Sequence, residues 1–289
     1  MQHAFVISEP RSGSTVLTAM LDRRKGVLSM PESSFPQVLG YLKKHERTDP
    51  RRLAAIYLGS TFVPTPLKFS EIESCMTGND RDVLNQLAEA TAGAVGRDPR
   101  QLNCVIWKTV RTIGMHQVLE DLDAKVVILR RHPHNVFESQ SRFSYGVRNR
   151  KPFRYAIFRQ SYEAAFTRLA VSERLEIEYD DLPEALSDIC GFLEVPDLGI
   201  WPDDSSHFAE VAGNCNWLSE VTREFQNRDL EKRARLDDSA CRTLDHCLSI
   251  TRPLRFAIHP LRRFFDRRSL GHVRQIADRT LKKETAPEE

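Results

Sequence analysis

Short apolar runs recur along the chain, each closed by a turn and followed by a stretch of helical period. Residues 4–8, AFVIS, form the first run. The loop EPRSG follows, and from Ser14 to about Arg24 the apolar positions take helical spacing, which predicts strand, tight turn and helix. NCVIW at 103–107 and KVVIL at 125–129 predict two further strands. The second leads into a helix expected from Pro133 to Phe143, because a proline suits the first helical turn, where its missing N–H is not needed. RLEIEY at 174–179 predicts a fourth strand, followed by a helix from Leu182 to Leu193. Helical period also marks residues 34–45, 50–58, 80–95 and 152–170, while 59–70 and 196–206 are rich in Pro, Gly and Ser. Buried β-branched runs separated by helices predict an α/β fold, a parallel sheet flanked by helices.

Composition narrows the class without changing that picture. The 289 residues are 40% hydrophobic, 28% charged and 8% aromatic. These are the proportions of an ordinary globular protein and exclude collagenous, disordered and coiled-coil classes. Forty-two Lys and Arg against forty Asp and Glu leave a net charge of +2, which points to no nucleic-acid partner. No apolar run approaches the roughly 18 residues of a membrane span. The opening MQHAFVISEPRSGST lacks the basic start and long apolar stretch of a secretion signal. Cys75, Cys104, Cys190, Cys215, Cys241 and Cys247 lie far apart and without metal-binding spacing, so reduced thiols, a cytoplasmic location and no bound metal are expected.

The end of the chain differs from the rest. Residues 252–283 carry ten Lys and Arg against Asp266 and Asp278. The expected organisation is one domain over 1–250 and a basic, helical extension over 251–289. Either that helix packs through Phe264, Phe265 and Leu270, or residues 252–283 meet an anionic surface.

PRSGST at residues 10–15 lies between the first strand and its helix. The first N–H groups of a helix lack intrahelical partners and the helix dipole favours an anion there. Gly13 lets backbone approach such an anion without a Cβ in the way. Ser12, Ser14 and Thr15 add hydroxyls, and Arg11 adds a fork suited to two oxygens. The triphosphate-binding pattern GxxxxGK[ST] is absent. A second arrangement follows the 125–129 run, where Arg131 leaves a strand end and Ser139 lies eight residues on. That is about two helical turns, so the pair can meet around a second phosphate. Two anion seats at two strand ends suggest one nucleotide with two separate phosphate groups, lying across the carboxyl edge of a parallel sheet.

Together these motifs resemble the sulfotransferase superfamily. PRSGST looks like its 5′-phosphosulfate loop, in the arginine form of carbohydrate, tyrosylprotein and many bacterial members. Arg131 to Ser139, in LRRHPHNVFES, looks like its 3′-phosphate motif. WKT at 107–109 is similar to the segment preceding that motif, and EYDDL at 178–182 resembles the segment whose tyrosine, here Tyr179, lies near the nucleotide. HFAEVAGNCN at 207–216 loosely resembles a GN segment of bacterial members. The arginine that follows it there is not at its usual place here, and Arg223 is the substitute.

The resemblance implies a P-loop-like three-layer fold and 3′-phosphoadenosine 5′-phosphosulfate (PAPS) as co-substrate. It further implies metal-free transfer of a sulfuryl group to an acceptor hydroxyl on a small molecule, carbohydrate or peptide. The aryl and alcohol branch takes its general base from a histidine after the KT pair; Val110 holds that position here. The other branch uses a glutamate about twenty residues after the loop arginine, and Glu32 stands twenty-one after Arg11. Glu32 is therefore the expected base, with His207 in reserve. Arg11 and Lys108 are expected to stabilise charge on the departing phosphate oxygen. Residues 35–75 and 145–165 are expected to wall the acceptor pocket. The alternatives are an ATP-dependent P-loop phosphotransferase, which needs a loop lysine and acidic magnesium ligands, and a non-catalytic nucleotide-binding protein.

Overall fold

A computed structural model gives the structure of residues 1–42, 44–62, 65–109, 115–142, 151–169, 173–182, 184–195, 199, 227 and 229–284. Five strands, β1 (Gln2–Ser8), β2 (Val27–Met30), β3 (Cys104–Thr109), β4 (Lys125–Arg130) and β5 (Arg174–Glu178), form one sheet in the order β2-β3-β1-β4-β5. Every pairing is parallel. The helices are α1 (Ser14–Asp22), α2 (Phe35–Leu39), α3 (Lys44–Arg47), α4 (Pro50–Ser60), α5 (Phe69–Ser74), α6 (Asp80–Ala94), α7 (Met115–Leu122), α8 (Pro133–Arg142), α9 (Pro152–Arg168), α10 (Leu186–Phe192), α11 (Asp229–Arg233), α12 (Asp238–Thr251) and α13 (Arg255–Glu284).

Both faces of the sheet are covered over β1 to β4, which is why those strands are buried along almost their whole length, while the edge strand β5 alternates and keeps one face exposed. Successive side chains of a strand point to opposite faces. Phe5 and Ile7 of β1, with Val105, Trp107, Val126 and Ile128, join one core with Leu53 and Ile56 of α4, Leu84 and Leu87 of α6 and Tyr162 of α9. Ala4 and Val6, with Cys104, Ile106, Val127 and Leu129, join the other with Leu17 and Leu21 of α1 and Ile189 of α10. The fold is thus α/β with three layers, as expected.

Several boundaries differ from the expectation. The edge strand β2 escapes the pattern because VLSM is four residues long and entirely buried. It is fixed by a buried ion pair: Arg97 grips both oxygens of Asp22, at 2.8 Å each, while Ser29 N–H donates to Asp22 Oδ1 at 2.7 Å. Strand β3 runs on to Thr109, since its ladder with β1 continues through Lys108 opposite Val6. The 34–45 helix is instead two short helices, α2 and α3. The helix expected from Leu182 begins at Leu186. Leu182 precedes a proline and is extended, with ψ 139°, which is the restriction that a following proline imposes.

His3, near the start of the central strand β1, is buried against β3 and α6. Trp107 Nε1 donates to its Nδ1 at 3.0 Å, and its Nε2 faces Asn85 Oδ1 at 2.9 Å. Burial lowers its pKa to about 4.

The basic α13 packs on α4 and α9. Val273 and Ala277 are buried in the first core, and Leu270 and Leu281 pack against it. A Cβ on Gly59 of α4 would stand 2.8 Å from the carbonyl oxygen of Val273, so the glycine permits the close approach. Arg274 donates twice to Glu46, at 2.8 and 2.7 Å. Side chains of residues 259–269, including Phe264 and Phe265, lie outside the described part. Among the described residues no helix is long and apolar enough to cross a membrane. Cys75, Cys104, Cys190, Cys241 and Cys247 are free thiols.

Candidate functional site

The carboxyl ends of all five strands open on one edge, and each sends a predicted residue there. β3 and β2 lie on one side of β1, and β4 and β5 on the other. The end of β1 is therefore the switch point at which open α/β sheets take ligands.

The loop after β1 turns on two left-handed residues, Arg11 (φ 72°) and Gly13 (φ 92°). A side chain is strained in that region and glycine is not. Gly13 caps α1 with no side-chain hydrogen bond to its first turn, among the described residues. That turn's N–H groups face outward at Ser14 and Thr15. The Ser12 hydroxyl is buried without a hydrogen-bond partner among the described residues. A buried unpaired hydroxyl is costly unless something completes it, and an oxyanion above the turn would do so.

Lys108 and Glu32 meet at the same edge. Lys108 Nζ donates to Thr15 Oγ1 at 2.6 Å and forms an ion pair with Glu32. The lysine side chain is 6% exposed and the glutamate 22%, so the carboxylate keeps an opening to solvent while its partner is enclosed. Glu32 follows β2, and its carbonyl accepts from Phe62 N–H at 2.8 Å. Beside them Gln37 Nε2 donates to Thr109 Oγ1 at 2.5 Å.

The second seat is built differently from the expectation. Ser139 of α8 faces the loop and accepts from Arg11 Nε at 3.2 Å. Arg131 points its fork at Asp229: Nε lies 3.1 Å from each carboxylate oxygen, and Nη2 also donates to Oδ1. Asn135 Nδ2 donates to Oδ2 at 2.5 Å, and Arg131 Nη1 donates to the Arg11 carbonyl at 3.0 Å. Burial by itself would raise the Asp229 pKa. Hydrogen bonds and charge from Arg131 outweigh it and hold the carboxyl below its ordinary value. Tyr179 stands between the seats. Its ring lies 4.1 Å from the Arg131 guanidinium carbon, and a Cβ on Gly13 would overlap that ring.

A buried clamp joins the two loops. Arg159 Nη1 donates to Glu9 Oε2 at 2.8 Å and to the Arg131 carbonyl at 3.1 Å. Gln140 Nε2 donates to the Pro10 carbonyl at 2.9 Å and to Glu9 Oε1 at 3.3 Å. Burial raises the Glu9 pKa to about 7, against the pull of Arg159.

Arg11, Ser12, Gly13, Ser14, Thr15, Glu32, Lys108, Arg131, Ser139 and Tyr179 thus share one edge. Val110, His207, Arg223 and residues 145–150 lie outside the described residues. Glu9, Asn135, Arg159 and Asp229 were not anticipated. Glu9 reads as part of a loop and Asn135 as a helix-start residue, while Asp229 meets Arg131 across 98 residues, a pairing no local pattern encodes. Among the described residues no group of three or more His, Cys, Asp or Glu forms a metal site.

Residues 4–198 match the model of the sulfotransferase family, and the chain belongs to that family. No curated protein matches it. Among solved structures it is similar to the sulfotransferase domain of the Synechococcus PCC 7002 olefin synthase, at 20% identity over 81% of this chain and 94% of that one, with a TM-score of 0.41. It is also similar to mouse sulfotransferase SULT7A1 complexed with PAP, at 12% identity over 91% of this chain and 89% of that one, again with a TM-score of 0.41.

Proposed function

We propose that this sulfotransferase-family chain moves a sulfuryl group from PAPS to an acceptor hydroxyl. The observation that carries the reading is the Lys108 ammonium, which touches Thr15 of the phosphate loop and Glu32 together. A donor bound on the loop and a base poised on Glu32 are thereby held a few ångströms from one cation. The residues fit the donor: Gly13, the N–H groups of Ser14 and Thr15, and the Ser12 hydroxyl, unpartnered among the described residues, suit the 5′-phosphosulfate. Arg131 and Asn135 form a seat suited to the 3′-phosphate, with Tyr179 between the two.

In this reading Glu32 takes the proton from the acceptor hydroxyl as its oxygen attacks sulfur. The sulfur–oxygen bond to the phosphate breaks, leaving a sulfate ester and adenosine 3′,5′-bisphosphate. Lys108 and Arg11 meet the charge that gathers on the departing oxygen. The acceptor is an alcohol or phenol of a small molecule, carbohydrate or peptide. Residues 1–250 make up the transferase unit, in the cytoplasm, and α13 is its basic extension.

The test is sulfuryl transfer from radiolabelled PAPS to a panel of hydroxyl acceptors in excess chelator. Labelled ester is expected. Loss of transfer with chelator, restored by magnesium, would turn the assignment to a metal-dependent phosphotransferase. Nucleotide binding without transfer to any acceptor would favour a binding protein.

A further inference from the structure

We propose that the short helix α11 is a latch on the donor site, its Asp229 carboxylate seated where the 3′-phosphate of the nucleotide binds. The inference rests on the reading of Arg131 as the 3′-phosphate residue. It adds that this seat is held closed by the protein's own anion until the nucleotide displaces it.

Four observations carry it. The first is chemical likeness. Arg131 presents its planar fork to both oxygens of Asp229, and Asn135 Nδ2 completes the contact. A fork and an amide converging on a two-oxygen anion is also how a phosphate is gripped. The second is exclusion. The Arg131 and Asp229 side chains are 5% and 4% exposed. A carboxylate and a phosphate cannot share that enclosed space, since like charges a few ångströms apart repel strongly where water is excluded. Either the phosphate stays out or Asp229 leaves.

The third is how lightly α11 is attached. Leu230 is 80% exposed, so the helix's only large apolar residue anchors nothing. Its other described ties are polar: Asn227 Oδ1 accepts from Asp229 N–H at 3.0 Å, and two exposed contacts follow, Asn227 Nδ2 donating to Asp180 at 3.1 Å and Arg233 lying 3.5 Å from Asp180. Segments with few buried apolar contacts open at low cost. The fourth is the charge that stays behind. Lys232 moves with the helix, but Arg11 and Arg131 remain on their loops, the Arg131 fork no longer engaged by Asp229. The nearby Glu138 carboxylate is paired with Arg142 and Arg235, so an incoming dianion meets a surplus of cations once Asp229 withdraws.

The latch makes the cost of opening specific to nucleotides that carry a 3′-phosphate. Calorimetric titration of the full chain with adenosine 3′,5′-bisphosphate and adenosine 5′-phosphate tests this in wild type, Asp229→Asn and Arg131→Ala. Asp229→Asn keeps the shape and removes the charge. It is expected to tighten bisphosphate binding by roughly tenfold or more, the loss of one charged hydrogen bond, and to leave the monophosphate unchanged. Arg131→Ala should weaken the bisphosphate alone. If Arg131→Ala does so but Asp229→Asn leaves bisphosphate affinity equal or weaker, the seat stands and the latch is wrong. If Arg131→Ala affects both nucleotides equally, the seat reading falls and the latch with it. Should Asp229→Asn fail to fold, amide hydrogen exchange of residues 229–233 in the wild type decides. Exchange should quicken on saturation with bisphosphate and not with monophosphate; unchanged or slower exchange with bisphosphate overturns the proposal.

Discussion

Lys108 joins Thr15 to Glu32 through one enclosed ammonium, so the phosphate loop and the proposed base are tied before any ligand arrives. Glu32→Gln keeps the side chain's size and removes its capacity to take a proton. Turnover is expected to fall by roughly 10²–10⁴ while donor affinity changes little. Steady-state rates beside nucleotide titrations check this, and turnover close to wild type would move the base to another residue, with His207 tried first.

Arg11 combines the proposed leaving-group cation with an unfavourable backbone angle, φ 72°. Arg11→Ala keeps the angle and loses the fork; Arg11→Gly loses the fork and relieves the angle, worth roughly 1 kcal/mol. Both should lose transfer by about 3 kcal/mol of transition-state stabilisation or more, the scale of a missing oxyanion donor. Arg11→Lys should keep part of the rate. Thermal unfolding without ligand should rank Arg11→Gly above Arg11→Ala. The reverse order would mean that the left-handed turn is not strained by the side chain, and normal turnover in either would remove Arg11 from the chemistry.

Gly13 is irreplaceable for two reasons that can be separated. A Cβ there is disfavoured at φ 92° and overlaps the Tyr179 ring. Gly13→Ala should abolish nucleotide binding and lower the melting temperature. Adding Tyr179→Ala removes the overlap but not the backbone strain, so the double variant should lose less stability than the sum of the two single losses, yet stay below Tyr179→Ala alone. Strict additivity would show that the ring and the turn are independent.

His3 makes stability depend on acid. In the fold its Nδ1 accepts from Trp107, so a proton on that nitrogen would set donor against donor. Its folded value of about 4 lies below the 6.5 of an ordinary histidine. The contribution is therefore whole above pH ~6.5 and drains away as the pH falls towards 4, costing about 2 kcal/mol between pH 7 and pH 5. Denaturant unfolding at the two pH values should show this slope in wild type and not in His3→Gln. An equal slope in both would assign the acid sensitivity elsewhere.

How much of this was legible in the chain follows from the range of each interaction. The strands at the centre of the sheet were visible because burial on both faces leaves an unbroken apolar run. The edge strand β2 was not, since VLSM is too short to show a pattern and is held by Arg97 and Asp22, which lie 75 residues apart. PRSGST was legible as a turn between strand and helix because its pattern is local to six residues. Ser139 turns back from α8 to bond Arg11 and not Arg131, whose fork meets Asp229. Glu9 and Arg159 stayed hidden for a related reason: each side chain reads as ordinary surface charge until the fold buries them against one another.

The seating of α13 on α4 also has a consequence during synthesis. The face of α4 that carries Gly59 is complete only when Val273 and Ala277 lie against it, and more than two hundred residues of translation separate the two. At ribosomal speeds of about 5–20 residues per second, that interval lasts on the order of ten seconds or more. Until then the nascent chain leaves that apolar flank of α4 uncovered. Contacts of such high sequence separation also slow folding, so the docking of α13 on α4 is expected to come late in folding.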